Sequence, residues 1–297
     1  MLNSSGKTFA YFSIVAANII YGLNYVIAKG IMPDYLSPRA IVFFRIAGTI
    51  PIAFLFFWFF VREKINKKDI PRFIIASFFG IALNQTLFFE GLNLTTPIDS
   101  AIIMTANPVL VLVFSFFILK DRISLLKILG IVLGISGALL IITGKGELSF
   151  NSNTFTGNLF ILINATSFAL YLVILKPLIA KYHPMTIMVW TFSLGFLITL
   201  PFTINPLIHS NFHEIPMAIW LSLLFVIIGA TFLGYLLYNY SLKVLSPTIV
   251  SFFIYLQPLF STLTTMAVYG DKPSLIDYLS ALLIFAGVWL VSKKQVS

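Results

Sequence analysis

The chain has 297 residues, of which 59% are apolar, 16% aromatic and only 10% charged, with a mean hydropathy of +0.99. So little polar surface cannot cover a water-soluble globule of this length, and the composition assigns the chain to a bilayer. The absence of cysteine excludes disulfides, thiolate metal sites and cysteine nucleophiles. The net charge of +9 falls in short loops between apolar runs, where it reports membrane orientation rather than nucleic-acid binding.

In chain order, the apolar runs predict ten spans, near 9–28, 38–60, 71–93, 97–119, 125–143, 157–176, 184–204, 216–240, 247–269 and 275–292. At ~1.5 Å per residue each reaches across a hydrocarbon layer of ~30 Å. The first run follows Lys7 and ends in no small-residue cleavage site, so it reads as a retained helix rather than a signal. The breaks carry turn chemistry: Pro33-Asp34, Lys67-Lys68-Asp69, Thr96-Pro97, Gly144 to Gly157, His183-Pro184, Asn205-Pro206, Ser246-Pro247 and Asp271-Lys272-Pro273. Of the 19 Lys and Arg, 14 lie at the chain ends and around the loops after the even-numbered spans, a bias that predicts both termini in the cytoplasm.

The pattern is written twice. Asn107-Pro108 and Gln257-Pro258 each sit inside a long apolar run that closes on an acid, Asp121 or Asp271, and both pairs are 150 residues apart. Leu92/Leu242, Pro97/Pro247, Ser124/Ser274, Leu129/Leu279 and Gly137/Gly287 keep that step. Lys29 and Lys176 are 147 apart. Five spans per half is an odd number, so the second copy enters the membrane from the opposite side, and residues 9–143 and 157–292 read as inverted repeats with a site between them. Asp121 and Asp271 then face opposite compartments and read as turn residues. Ser274 with Asp277 has the spacing of a capping box for the last helix.

Particular residues resemble a known family. Tyr21-Gly22-Leu23-Asn24-Tyr25 with Lys29, Phe44-Arg45, the Pro108 run closing on Leu119-Lys120-Asp121-Arg122-Ile123, and the Pro258 run closing on Tyr269-Gly270-Asp271 resemble the EamA-type transporters of the drug/metabolite transporter superfamily. Tyr21 stands where the family pattern has Trp, and Asp121 and Asp271 where it has Glu. The resemblance runs end to end. It implies an all-α integral membrane protein of ten transmembrane helices in two inverted five-helix repeats. It further implies a central cavity lined by the first, third, fourth, sixth, eighth and ninth spans, and passage of small metabolites across a bacterial cytoplasmic membrane. It does not specify the solute.

Pro108 and Pro258 lack an amide hydrogen and displace the carbonyls of Met104 and Ile254, which tolerate hydrocarbon only against protein or a wet cavity. They are candidate hinges. Asn107, Gln257, Thr105 and Tyr255 cluster at these breaks as donors to backbone or to a solute. In the first span, Asn18, Tyr21 and Tyr25 share a helical stripe with Asn24 beside it, and Asn164, Phe168 and Tyr171 repeat the spacing in the sixth. Gln85 and Phe88 map by the step of 150 onto Tyr235 and Tyr238. Together these side chains predict a polar, aromatic, uncharged cavity; the alternative is interhelical hydrogen bonding at about 0.6 kcal/mol per contact.

Arg45 and Glu90 are charged groups inside spans, costing at least ~2.5–3.5 kcal/mol if unpaired. They read as a buried pair with each other or as rim residues, with Glu90 as an alternative proton-coupling carboxylate. His209 and His213 fall in a loop and read as solvated rather than metal-binding. With every histidine in a loop and no in-span nucleophile and base pair, the chain does not read as an enzyme, and no cofactor is expected. The leading expectation is a secondary transporter of a small neutral or zwitterionic metabolite such as an amino acid. The alternatives are a phosphate-ester or nucleotide-sugar antiporter and a non-transporting membrane scaffold.

Overall fold

The computed structural model describes residues 4–143, 152–208, 212–269 and 275–292, and every regular element among them is helical. The first two rods are α1 (Ser4–Lys29) and α2 (Pro38–Phe60). A third rod is built in pieces: α3 (Ile70–Ser77), a π-helical segment (Phe78–Leu83) and α4 (Asn84–Leu94). Next come α5 (Pro97–Met104), α6 (Asn107–Phe114) with a π-helical end (Ser115–Leu119), and α7 (Leu125–Thr143). The second half follows with α8 (Ser152–Lys181) and α9 (Pro184–Ile208). α10 (Met217–Leu224) leads through a π-helical segment (Phe225–Leu233) into α11 (Gly234–Val244). α12 (Pro247–Phe252), a 3-10 turn (Phe253–Tyr255), α13 (Leu256–Tyr269) and α14 (Leu275–Ser292) complete the chain.

Among the described residues six helical stretches are long and apolar enough to cross a membrane: Gly6–Lys29, Pro38–Phe60, Lys67–Leu94, Thr154–Lys181, Pro184–Ile208 and Met217–Val244. The other apolar helices, Asn107–Leu119, Leu125–Gly137 and Tyr278–Val291, are shorter. Large apolar side chains stand exposed along the rods, among them Trp58, Phe60, Leu197, Phe202, Leu282 and Trp289, a surface that only lipid can cover at this density. The chain is therefore a multi-pass helical membrane protein.

Several boundaries move. α9 runs through Pro201 and Pro206 to Ile208, where a break at Asn205-Pro206 was expected, and α8 runs through Pro177 to Lys181. Proline's fixed φ is helical, and each one forfeits a single backbone bond, which a long rod absorbs. Pro108 opens a new helix rather than kinking one: α5 stops at Met104, and α6 starts at Asn107. At Pro258 the adjustment is the 3-10 turn ahead of α13. The π-helical segments were not foreseen, since periodicity of 3.6 cannot report a local change in hydrogen-bond register. Gly270, Asp271 and Ser274, the Asp277 side chain and His209 lie outside the described residues. At the other acidic turn, Lys120 takes left-handed backbone (φ 60°) and the Asp121 amide donates to Ser115 O at 3.2 Å.

Packing exchanges partners between the halves. α1 lies along α11 and α13, and α8 lies along α4 and α6; α2 packs on α9, and α7 on α14. Two lysines tie rods within each half. Lys29 Nζ donates to the carbonyls of Leu92, Asn93 and Thr95 at 2.8, 3.0 and 3.1 Å, and Lys176 Nζ to those of Leu242 and Leu245 at 2.6 and 2.7 Å. In both cases an ammonium meets the carbonyl end of a helix, where the dipole favours it. Close approach needs glycine at several points, among them Gly80, where a Cβ would run into the Tyr171 ring, and Gly234, where one would sit 2.9 Å from the Tyr21 hydroxyl.

The two ends of the bundle differ. At one, α3 packs along both α8 and α9, and a polar clasp fastens it. Lys181 donates to Asp69 Oδ1 at 2.9 Å and the Tyr182 hydroxyl to Asp69 Oδ2 at 2.8 Å; Glu63 Oε2 accepts from the His183 amide at 2.8 Å and from Thr186 Oγ1 at 2.6 Å. At the other end α10 touches α1 only slightly, and the contacts around it are aromatic, Phe44 and Phe212 each meeting Trp220.

Candidate functional site

A cavity partly open to the exterior lies where the two halves meet. Its walls are Tyr21, Asn24 and Tyr25 of α1, Arg45 of α2, Asn84, Gln85 and Phe88 of α4, Met104 of α5, Asn164 and Phe168 of α8, Tyr235 of α11, and Gln257 of α13.

The π-helical segments aim several of these side chains. Widening the helix frees backbone carbonyls from the regular ladder, and the opposite half occupies them. Tyr235 donates to Gly80 O at 2.9 Å and Ser167 Oγ to Phe79 O at 2.6 Å. In the second segment Thr231 donates to Val226 O at 2.6 Å and accepts from Arg45 Nε at 2.7 Å. Asn84 and Asn164 exchange bonds with each other's backbone, Asn164 Nδ2 to Asn84 O at 2.7 Å and Asn84 Nδ2 to Asn164 O at 3.4 Å. Gln257 Nε2 donates to Asn18 Oδ1 at 2.8 Å, while its Oε1 accepts from the Tyr25 hydroxyl at 3.4 Å.

Of the residues proposed from sequence, Tyr21, Asn24, Gln85, Phe88, Asn164, Tyr235 and Gln257 line the cavity. Six others do not. Asn18 stands behind Gln257 and also accepts from Tyr238 at 3.3 Å. Asn107 spends its amide on Ala165 O at 2.7 Å, holding α6 to α8. Thr105 is buried in the turn between α5 and α6. The Tyr171 hydroxyl faces Asn239 Oδ1 at 3.3 Å with its ring over Gly80. Tyr238 packs edge-on to Phe168, and Tyr255 is fully buried in a niche that Gly134 provides. A helical stripe spans more of the circumference than a cavity wall, so its outer members meet neighbouring helices instead.

The Arg45–Glu90 pair does not form. Glu90 Oε1 takes Arg39 Nε at 2.6 Å, with both side chains partly exposed, because Arg39 lies nearer the end of α2 that α4 reaches. Arg45 instead holds Thr231 and lies over the Phe89 ring, 4.9 Å from its centroid. The cavity is therefore not uncharged. Tyr25 and Phe168, members of the stripes read from the sequence, line it as well, and Asn84 and Met104 complete its lining. Asn84, next to Gln85 in an apolar run, carried the same polar signal; Met104 carried none. His213 is exposed in a short 3-10 turn, and among the described residues no cluster of His, Asp and Glu is arranged to hold a metal.

Residues 8–143 and 155–293 each match the EamA-like transporter family. The chain belongs to that family. Its curated relatives include the uncharacterized transporter YyaM of Bacillus subtilis, 28% identical over 288 residues, covering 95% of this chain and 93% of that one. An uncharacterized transporter of Archaeoglobus fulgidus is 25% identical, covering 88% and 89%, and the inner membrane transporter YicL of Salmonella typhimurium 24% identical, covering 94% of each. A crystal structure superposes with a TM-score of 0.76 at 17% identity, covering 98% of this chain and 97% of its own, a likeness of fold alone. As an EamA member the chain is a transporter and not an enzyme, with a small-molecule solute and a bilayer as its partners.

Proposed function

We propose that the protein is a secondary transporter that exports or exchanges small neutral or zwitterionic metabolites, amino acids above all, across the cytoplasmic membrane by alternating access. In this reading residues 9–143 and 157–292 are inverted repeats of five spans each, both termini are cytoplasmic, and Pro108 and Pro258 are hinges. The observation that carries it is the cavity between the halves, walled by hydrogen-bonding side chains on modest apolar bodies. The exchange of packing partners, α1 on α11 and α13 with α8 on α4 and α6, supports a repeat. The unequal ends support a state closed at the Asp69–Lys181 clasp and looser around α10. A phosphate-ester antiporter fits less well, because one guanidinium is a poor match for a dianion.

Counterflow of radiolabelled neutral metabolites in vesicles made with the purified protein tests the reading; no solute-dependent exchange would favour a scaffold. Because the chain has no cysteine, Met104→Cys supplies a single reporter in the cavity wall. Impermeant thiol reagents should reach it from one side at a time. Breaking the clasp with Asp69→Asn and Glu63→Gln should raise its reactivity from the clasp side. Equal labelling from both sides in every variant would rule out alternating access.

A further inference from the structure

Among the described residues Arg45 is the one charged side chain in the cavity wall, and it is 4% exposed. Its Nε is spent on Thr231 and its carbon lies over Phe89, but neither contact neutralises it. Among the described residues no carboxylate pairs with it, and Glu90, the nearby in-span acid, is held by Arg39. A guanidinium does not give up its proton in a protein. A buried cation without a counter-ion is costly in a membrane, so its place in the wall of an open cavity needs a ligand to explain it.

The remaining walls carry the complementary chemistry. Among the described residues Asn24 Oδ1, Asn164 Oδ1 and Gln85 Oε1 are buried and without a hydrogen-bond partner. Buried amides of this kind are normally satisfied. The guanidinium, with its planar fork of donors, and these three acceptors belong to residues that line the same cavity.

We propose that Arg45 is the receptor for the carboxylate of the transported solute, with Asn24, Asn164 and Gln85 receiving its ammonium or hydroxyl donors. The solute class is thus a monocarboxylate that also bears a hydrogen-bond donor, an amino acid zwitterion being the full match. The inference rests on the transport reading above and adds the group that the solute must carry. A guanidinium and a carboxylate meet through two parallel hydrogen bonds, which gives geometric selectivity as well as strength.

The test is competition in counterflow. Vesicles carrying the full chain and preloaded with neutral L-amino acids take up labelled leucine, with unlabelled leucine, leucinol, leucinamide or a hydroxy acid as competitor. Leucinol and leucinamide, which lack the carboxylate, should compete at least about tenfold less well than leucine, and the hydroxy acid should compete measurably. Arg45→Gln should abolish that discrimination, and Arg45→Lys, which keeps the charge but not the fork, should retain part of it. If Arg45→Gln does not fold, the wild-type competition series still decides. Equal competition by leucinol, or unaltered selectivity in a folded Arg45→Gln, overturns the proposal. Exchange confined to labelled amines or uncharged metabolites overturns it while leaving the transporter reading intact; exchange of no probe at all removes both.

Discussion

The two proline breaks begin from the same sequence and end in different uses. Asn107-Pro108 and Gln257-Pro258 occupy equivalent places 150 residues apart, and both interrupt a helix. In the first half the amide closes the gap, since Asn107 reaches the backbone of α8 at Ala165. In the second half Gln257, one methylene longer, is held by Asn18 and turns toward the cavity beside Tyr25. The preceding residues diverge as well. Tyr255 fills a niche that exists because Gly134 lies opposite, whereas the position 150 residues beyond Gly134 is Ile284, so the niche is not repeated. A freed carbonyl demands a partner, and which group supplies it depends on the neighbouring helix.

Substitutions should separate these uses. Tyr255→Ala empties the niche against Gly134 and should cost about 3–5 kcal/mol, read as a lowered midpoint of thermal unfolding in detergent. Tyr255→Phe should change little, because among the described residues that hydroxyl has no partner to lose. Solute preference altered by Tyr255→Phe would return the residue to the transport pathway. Asn107→Ala removes the bond to Ala165 and should cost about 1 kcal/mol, with the preference of the surviving transporter unchanged. Gln257→Ala should do the reverse, shifting the relative counterflow of different solutes while moving the unfolding midpoint less than Asn107→Ala does. Matching effects from both amides would erase the distinction between the two breaks.

The smallest expected effect is at the clasp. Burial holds the His183 imidazole below its ordinary pKa, the Lys243 charge adds to this, and Glu63 opposes it. His183 Nδ1 accepts the Met185 amide at 3.2 Å, which requires that nitrogen to be unprotonated. A histidine pKa depressed in the folded state contributes stability above its unfolded value, and the contribution is lost as pH falls through the folded one. Acidification from neutral toward pH ~5 should therefore cost the wild type slightly more unfolding temperature than His183→Asn, whose side chain accepts without titrating. Identical slopes would remove His183 from the pH response.

Much of this protein could be read in its residues alone. Composition placed it in a bilayer, the offset of 150 exposed a repeated pattern, and polar and aromatic side chains in apolar runs pointed to most of the cavity-lining residues. Arg45 was visible as an in-span charge, but its surroundings were not: Arg39, six residues earlier, proved the closer partner for Glu90. The π-helical segments, which set the heights of Asn84 and Tyr235, left no trace in periodicity.

What the sequence by itself determined is the solvent and the helical class, because transfer of apolar side chains into lipid is local and additive along the chain. Only the tertiary structure decided which polar groups line the cavity and which satisfy another helix, and that Arg45 stands in the cavity wall with no carboxylate paired to it among the described residues. Hydrogen bonds and counter-ions in a membrane come from other rods, so their pairing depends on rotation and depth that no single span encodes.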